Sequence, residues 1–257
     1  MFNATYFTYD GVFSGTYGLM LADFEESPVV ETAAFSPVLS TIKPILSNRF
    51  FHNGIKYEEH PQHQFSIVSE AEIPDFIRRE ILSWLIGRRE FKQLQIHQTD
   101  LEEYYYNCVF TNAELIYING RCHGFRITAN FDSQYARGQA TVVKVAKAGT
   151  HTVKIENRSD IKDNYVYPIV RFTGGSIDIV NTTDDSQRHF TFADLAPTEI
   201  VTVDNEVKHI SSSIGGEKLS NFTSKNWLRL RPGYNTLTIV ASGEVTITCP
   251  HYAMIGY

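Results

Sequence analysis

The stretch that decides the fold is residues 237–249, LTIVASGEVTITC. Apolar and polar side chains alternate over residues 237–239 and again over residues 245–249, and the pair Ser242-Gly243 between them is typical of a turn. A period of two places the apolar side chains on one face of a β-strand. The stretch therefore predicts two successive strands that each have one buried face.

The same pattern extends through the second half of the chain, where no helical periodicity occurs. Short strands recur at the spacing expected of a two-sheet sandwich, and Gly- or Pro-containing turns separate many of them. The strands are predicted near 141–145, 150–156, 166–173, 176–181, 188–192, 199–204, 207–212, 227–231, 235–240 and 245–249. The second half is therefore predicted to be a jelly-roll-like β-sandwich.

One helix is predicted, at about residues 74–86. Pro74 suits the first helical position and Gly87 the helix end. Apolar side chains recur at the spacing of one helix face, at Ile77, Ile81, Trp84 and Leu85. The helix is expected to lie on a sheet.

The strands around this helix are predicted near 91–96, 104–110, 113–118 and 121–131. Asp10-Gly11 and Asn119-Gly120 are strong signals for two-residue hairpin turns. A two-residue loop at Asn119-Gly120 would place Phe125 opposite Glu114, which is an unfavourable core pair. We therefore expect a β-bulge near Gly124.

Residues 25–48 differ from their surroundings because three prolines interrupt short β-branched runs. Proline cannot donate to an interior strand ladder, so this segment is predicted to be an edge ribbon or an extended arm. The polar stretch at 132–139 is a plausible boundary between domains 1–137 and 138–257. The predicted fold class is mainly β: an N-terminal β-sheet domain with one packed helix and an extended arm, followed by the sandwich.

Composition limits the classes of function. The chain has 257 residues and a net charge of −6, which argues against a protein that binds nucleic acid by neutralising phosphates. No secretion signal or membrane-length apolar run is recognised, and we expect no membrane insertion. Cys108, Cys122 and Cys249 lack metal-ligand spacing, so we expect reduced thiols in a protein made in a cytoplasm.

Acidic residues are concentrated at the start of the chain. The first 42 residues hold five acids and no base, and a solvated acidic face is the simplest interpretation. The acids are Asp10, Asp23, Glu25, Glu26 and Glu31.

The sequence carries no motif for catalysis, cofactor binding or metal binding. It has no phosphate-binding loop, dinucleotide fingerprint or nucleophile elbow. His60 and His63 form only a weak metal signal, and adjacent carboxylates on a strand point to opposite faces and do not make a hydrolase pair. Trp227 is either a core residue or a stacking platform for a sugar.

Several segments together resemble the distal tail proteins of siphophages, the Dit family, whose C-terminal domain is galectin-like. The segments follow the order and spacing of that family over nearly the whole chain. They are Phe7–Gly11 with Tyr17–Leu19, Ser83–Leu85, Phe91–Leu94, Tyr104–Asn107, Gly124–Asp132, Tyr167–Val170 and Leu230–Leu237.

The resemblance implies a homo-hexameric ring at the distal end of the virion tail, assembled in the host cytoplasm. The ring would join the tail tube protein to the tail-tip or baseplate hub protein, and DNA would pass through it without specific binding. The galectin-like domain would project outwards and carry receptor-binding or accessory proteins. The proline-marked segment matches the family's arm, with candidate interface residues Val29, Val30, Phe35, Val38, Ile42 and Ile45.

The same ring gives the acidic residues a hypothetical role, because carboxylates that face the channel would keep DNA from adhering. Two other functions remain open. One is a glycan-binding adhesin or receptor-binding component of the tail tip, with Trp227 stacking on sugar, and the other, less favoured, is a hydrolase.

Overall fold

The computed structural model describes residues 5–22, 38–56, 61–162 and 164–255, with all their side chains except those of residues 55 and 56. Over these ranges the chain is mainly β, as predicted. It divides into two compact units, residues 1–136 with 254–257 and residues 137–253.

In its described residues, the first unit contains nine strands, one short 3₁₀ turn at Ser14–Tyr17 and the helix α1 at Asp75–Ile86. The strands are β1 Phe7–Tyr9, β2 Val12–Phe13, β3 Leu19–Ala22, β4 Val38–Ile42, β5 Phe51–Lys56, β6 Gln62–Ser69, β7 Lys92–Ile96, β8 Tyr106–Ile118 and β9 Arg121–Phe131. Seven of them form one sheet in the order β2-β1-β7-β8-β9-β6-β3. The N–H of Leu21 in the edge strand β3 donates to the carbonyl of Thr5 at 2.8 Å. Thr5 precedes β1, which lies near the opposite edge, so this bond brings the two edges of the sheet close together.

Helix α1 covers one face of the sheet, as its apolar stripe predicts. Ile81, Trp84 and Leu85 are buried, and the indole N–H of Trp84 donates to the carbonyl of Tyr9 at 2.9 Å. The predicted start was one residue early: Pro74 is the N-cap, with extended backbone, and the helix begins after it.

Both predicted hairpin turns are confirmed. The two central residues of each turn, Asp10-Gly11 and Asn119-Gly120, all have positive φ. This is the combination that a type I′ turn requires, and its twist matches that of the flanking strands.

The predicted bulge near Gly124 is also confirmed. The register of β8 and β9 shifts, so that Leu115 lies opposite Phe125, and Phe125 is completely buried. A Cβ at Gly124 would lie 2.3 Å from the carbonyl oxygen of Ile67, so the close approach of β6 requires glycine there. The strands predicted at 104–110 and 113–118 are one strand, β8, with a second register shift after Thr111.

The second unit is a sandwich of a five-stranded and a four-stranded sheet. Its strands are β10 Ala136–Val145, β11 Gly149–Asn157, β12 Ile169–Thr173, β13 Ile177–Asn181, β14 His189–Phe192, β15 Ile200–Asp204, β16 His209–Ser212, β17 Gly233–Ala241 and β18 Val245–Ala253. The sheet orders are β10-β18-β12-β15-β16 and β11-β17-β13-β14. Phe172 of one sheet contacts Phe192 of the other, with ring centroids 5.4 Å apart.

The strand predicted at 227–231 is wrong. Its backbone makes only an isolated bridge, Val166 with Leu230, and buried asparagines satisfy much of the rest. Asn205 accepts from the N–H of Leu228 at 2.8 Å, and Asn181 donates to the carbonyl of Arg229 at 3.0 Å. Side-chain amides here replace a neighbouring strand.

Candidate assembly surface

The strands β4 and β5 form a two-stranded hairpin, residues 38–56, and among the described residues they pair with no other strand. None of the described side chains of residues 38–54 is buried. Seven large apolar residues of this hairpin are each more than half exposed, namely Val38, Leu39, Ile42, Ile45, Leu46, Phe50 and Phe51. A two-stranded hairpin without a packed face is marginally stable in water.

The turn of the hairpin holds its most exposed apolar residues. Ile45 is 94 % exposed and Leu46 is fully exposed. The N–H of Ser47 donates to the carbonyl of Pro44 at 3.1 Å, which closes a tight turn in which Leu46 has φ 70°. Glycine or asparagine is favoured at such a position, so a leucine there is unfavourable both in backbone conformation and in exposure.

The hairpin is also basic. Residues 38–56 contain Lys43, Arg49 and Lys56 and no acidic residue. The ammonium group of Lys43 lies 5.5 Å from the ring centroid of Phe50, within the range of a cation–π contact. This surface therefore combines exposed apolar side chains with positive charge.

Three of the six predicted interface residues, Val38, Ile42 and Ile45, lie on this hairpin and are exposed. The other three, Val29, Val30 and Phe35, lie outside the described residues.

The sequence analysis missed Leu39, Leu46, Phe50 and Phe51. A signal was present, because the adjacent pairs Val38-Leu39 and Phe50-Phe51 put apolar side chains on both faces of a strand. Regular alternation in a strand with one face in water would place a polar residue in each such pair.

Of the five acids proposed to face a channel, only Asp10 lies within the described residues. Its carboxylate accepts from the Nη2 group of Arg88 at 2.8 Å, so its charge is compensated locally. The proposal for the other four acids rests on the sequence alone.

Trp227 is half-buried. Its ring lies 4.9 Å from that of Phe222, which stacks on Phe192 at 4.7 Å. The indole therefore extends the aromatic core to the surface of the sandwich, and part of it remains accessible.

Buried charges of the sandwich are paired. Asp184 accepts from Arg229 at 2.7 and 3.2 Å, and this bond is the main cause that lowers the pKa of Asp184 to about 2. Burial acts to raise the pKa of Glu199, but bonds from Lys218 and Ser212 outweigh it and lower the pKa. These pairs account for the charges without invoking a ligand.

Three further observations concern metal binding, the cysteine thiols and membrane-spanning helices. Within the described ranges no cluster of three or more His, Cys, Asp or Glu side chains is arranged to hold a metal ion. The three cysteines are buried, free thiols. No helix in the described part of the chain is long and apolar enough to cross a membrane.

Comparison with known protein families decides the class of the protein. Residues 2–133 match a family described as the phage tail protein N-terminal domain. Residues 135–249 match one described as the phage tail C-terminal domain. The chain belongs to this phage tail protein family. As a phage tail protein it is a component of the virion tail.

Solved structures share the fold of this phage tail protein over its length. The Dit protein of phage SPP1, described as a paradigm of the hub adsorption apparatus in phages that infect Gram-positive bacteria, has a TM-score of 0.68 at 14 % identity, covering 97 % of this chain and 99 % of that one. A chain of the phage P2 baseplate in its activated conformation with Ca has a TM-score of 0.59 at 7 % identity, covering 98 % and 99 %. A search of curated proteins gives no match.

Proposed function

We propose that this tail protein is a distal tail protein: six copies form a ring that joins the tail tube to the tail-tip or baseplate hub and continues the DNA channel. The observation that carries the proposal is the similarity in fold to the SPP1 Dit protein over 97 % of this chain and 99 % of that one. Both units take part in this similarity, so the proposal concerns the whole chain. It assigns the protein a structural role and no catalytic activity.

The hairpin of residues 38–56 supports the ring. Exposing a large apolar side chain forgoes about 1.5–3 kcal/mol relative to burying it, and this hairpin exposes seven. A ring interface is head-to-tail, so each copy needs two different complementary surfaces. The hairpin provides one of them.

We propose a division of labour between domains 1–137 and 138–257. The first forms the ring and contacts the tail tube and the hub. The second projects outwards, where its sandwich carries receptor-binding or accessory proteins.

The acidic residues suit a channel that DNA passes without binding. Asp23, Glu25, Glu26 and Glu31 contribute four of the 29 acidic residues of a chain with net charge −6. Negative charge on the lumen would repel phosphates, whereas basic residues would retain them.

Immunogold labelling of virions tests the location. An antibody raised against the sandwich is expected to label the distal end of the virion tail. The virions are assembled in the host cytoplasm. Labelling along the tail tube or on the capsid would contradict the proposal.

A second candidate is a glycan-binding role for the sandwich at the tail tip, favoured by the half-buried, partly accessible ring of Trp227. A glycan array with the full-length protein and its Trp227→Ala variant tests it. Sugar binding that the variant loses while its circular dichroism stays unchanged supports the role. No sugar binding by the wild type excludes it for the sugars on the array.

A further inference from the structure

The residues that follow the sandwich in sequence return to the first unit. Strand β18 of the sandwich ends at Ala253, and residues 254–257 belong to the first unit together with residues 1–136. The sandwich is therefore an insertion within the sequence of the first unit. We call Met254 and Ile255 the return segment.

Ile255 packs into the first unit. Its side chain is half-buried against the core of that unit and lines a small cleft together with Ile96, Leu101, Tyr104 and Tyr106. The hydroxyl of Tyr106 donates to the carbonyl of Ile255. Ile255 therefore contributes both an apolar side chain and a hydrogen-bond acceptor to the first unit.

This contact lies at inner strands of the seven-stranded sheet. β7 and β8 are neighbours within the sheet, with Leu94 opposite Tyr106, and the ring of Tyr106 lies 5.1 Å from that of Phe131 in β9. Removing Ile255 would open an apolar cleft to water where these three strands meet. Strands that lose buried contacts open locally, without unfolding of the whole protein.

The order of the sequence makes this closure late. Tyr106 and Ile255 lie 149 positions apart, and all the strands of the sandwich lie between β9 and Ile255. Since synthesis starts at the N-terminus, Ile255 follows the rest of the first unit by about 120 residues, which takes on the order of ten seconds at about 5–20 residues per second. The hairpin of residues 38–56, with its seven exposed apolar residues, is made before that wait begins.

We propose that the return segment controls entry into the ring, so that a chain assembles only after Ile255 has closed the first unit. A subunit whose sheet opens locally is competent to assemble for only a fraction of the time, and its apparent affinity for neighbours falls by that fraction. Incomplete chains expose the hairpin but lack the closure, so they stay out of the ring. This inference rests on the proposed ring and adds a control on its assembly.

Co-assembly of full-length and truncated chains tests the inference. Chains that stop after Ala253 carry an N-terminal affinity tag and are co-expressed with untagged wild-type chains, and rings are then separated from monomers. Full-length chains with the same tag are the matched control. Mass spectrometry of the rings should find the truncated chain at least about tenfold less abundant than the tagged control. Equal shares would overturn the proposal.

Single substitutions separate the closure from the mere loss of residues. Ile255→Ser should lower the share of the chain in rings at least about threefold, whereas Ile255→Val keeps the apolar contact and should restore it. Met254→Ser changes the neighbouring side chain, which is 42 % exposed, and should enter rings like the wild type. Exclusion of Met254→Ser as strong as that of Ile255→Ser would contradict a role for the packed side chain.

Hydrogen exchange of the monomer shows which strands the substitution affects. Ile255→Ser should accelerate exchange roughly tenfold in β7 and β8 and leave β12 and β15 of the sandwich unchanged. Equal acceleration in all four strands would mean global unfolding and would contradict a local closure. Faster exchange in β7 and β8 with normal entry into rings would make the return segment structural only and overturn the control.

The same co-assembly separates this inference from the ring itself. Rings that admit the truncated chain as readily as the tagged control overturn the inference and leave the proposed function intact. Wild-type chains that form no rings at any concentration count against both.

Discussion

The hairpin of residues 38–56 and the sandwich of residues 137–253 use similar apolar residues in opposite ways. In the sandwich, alternation buries one face of each strand, and buried polar groups such as Asn235 and Asp184 have partners within the unit. In the hairpin, apolar residues occupy both faces and none of the described side chains of residues 38–54 is buried. The sandwich contains its own core, whereas the hairpin leaves its apolar side chains exposed, and we propose that a second copy covers them.

The largest expected effect contrasts a phenylalanine from each region. Phe192 is completely buried and contacts the rings of Phe172, Phe190 and Phe222. Phe192→Ala should lower the free energy of unfolding by about 3–5 kcal/mol, measured by chemical denaturation. Phe50→Ala in the hairpin is the matched control and should change it by less than about 0.5 kcal/mol. Equal losses would break the comparison.

The next effect concerns buried amides. Asn235 donates to the carbonyls of Arg231 and Gly233 and accepts from the N–H of Arg231. Asn235→Ala removes these part-buried bonds, of which only the carbonyl of Arg231 keeps another donor, Asn157, and should cost about 1–3 kcal/mol of unfolding free energy. Among the described residues, the exposed Asn53 of the hairpin makes one long bond, to Ser40 at 3.4 Å, so Asn53→Ala should be neutral in the same denaturation experiment.

Loss of stability at low pH should also arise from the sandwich. The folded-state pKa of Asp184 is lowered to about 2, so its pairing with Arg229 stabilises the fold above the unfolded pKa of about 3.9. That contribution, about 2 kcal/mol, is lost as pH falls from about 5 towards 2. Unfolding measured against pH should show a shallower decline in Asp184→Asn. Asp185→Asn, which removes an 86 % exposed carboxylate, should keep the wild-type slope.

The smallest effect on stability is predicted at the hairpin turn. Asparagine tolerates the left-handed backbone of Leu46 and removes an exposed apolar side chain. Leu46→Asn should leave the unfolding free energy of the monomer unchanged or raise it by less than about 1 kcal/mol, while the yield of rings falls. A Leu46→Asn protein that is destabilised and still assembles normally would contradict the assignment of the hairpin to assembly.

Features set by neighbouring residues could be predicted from the sequence. The turns at Asp10-Gly11 and Asn119-Gly120 are local, and the bulge at Gly124 followed because the regular register would have set Phe125 against Glu114. The helix was predicted to within one residue, since its apolar stripe and flanking residues are contiguous.

Features set by residues that are distant in sequence could not be predicted from it. Residues 227–231 alternate like a strand, and the amides that replace its neighbour come from Asn157, Asn181 and Asn205, which lie far away in sequence. Likewise, Tyr6 and Phe13 line one surface groove with Glu70 only because the fold brings β2, β3 and the end of β6 together. Three of the seven exposed apolar residues of the hairpin were named from the sequence because prolines marked the segment, and the other four were missed because exposure is a tertiary property.

The solution mass of the purified protein, measured by light scattering with negative-stain images of the same peak, tests the ring most directly. One chain weighs 29.2 kDa, so six weigh about 175 kDa. The account predicts this mass together with ring-shaped particles, and a Phe50→Ala variant that folds but loses them. A stable dimer or trimer without rings, unchanged by Phe50→Ala, would contradict it.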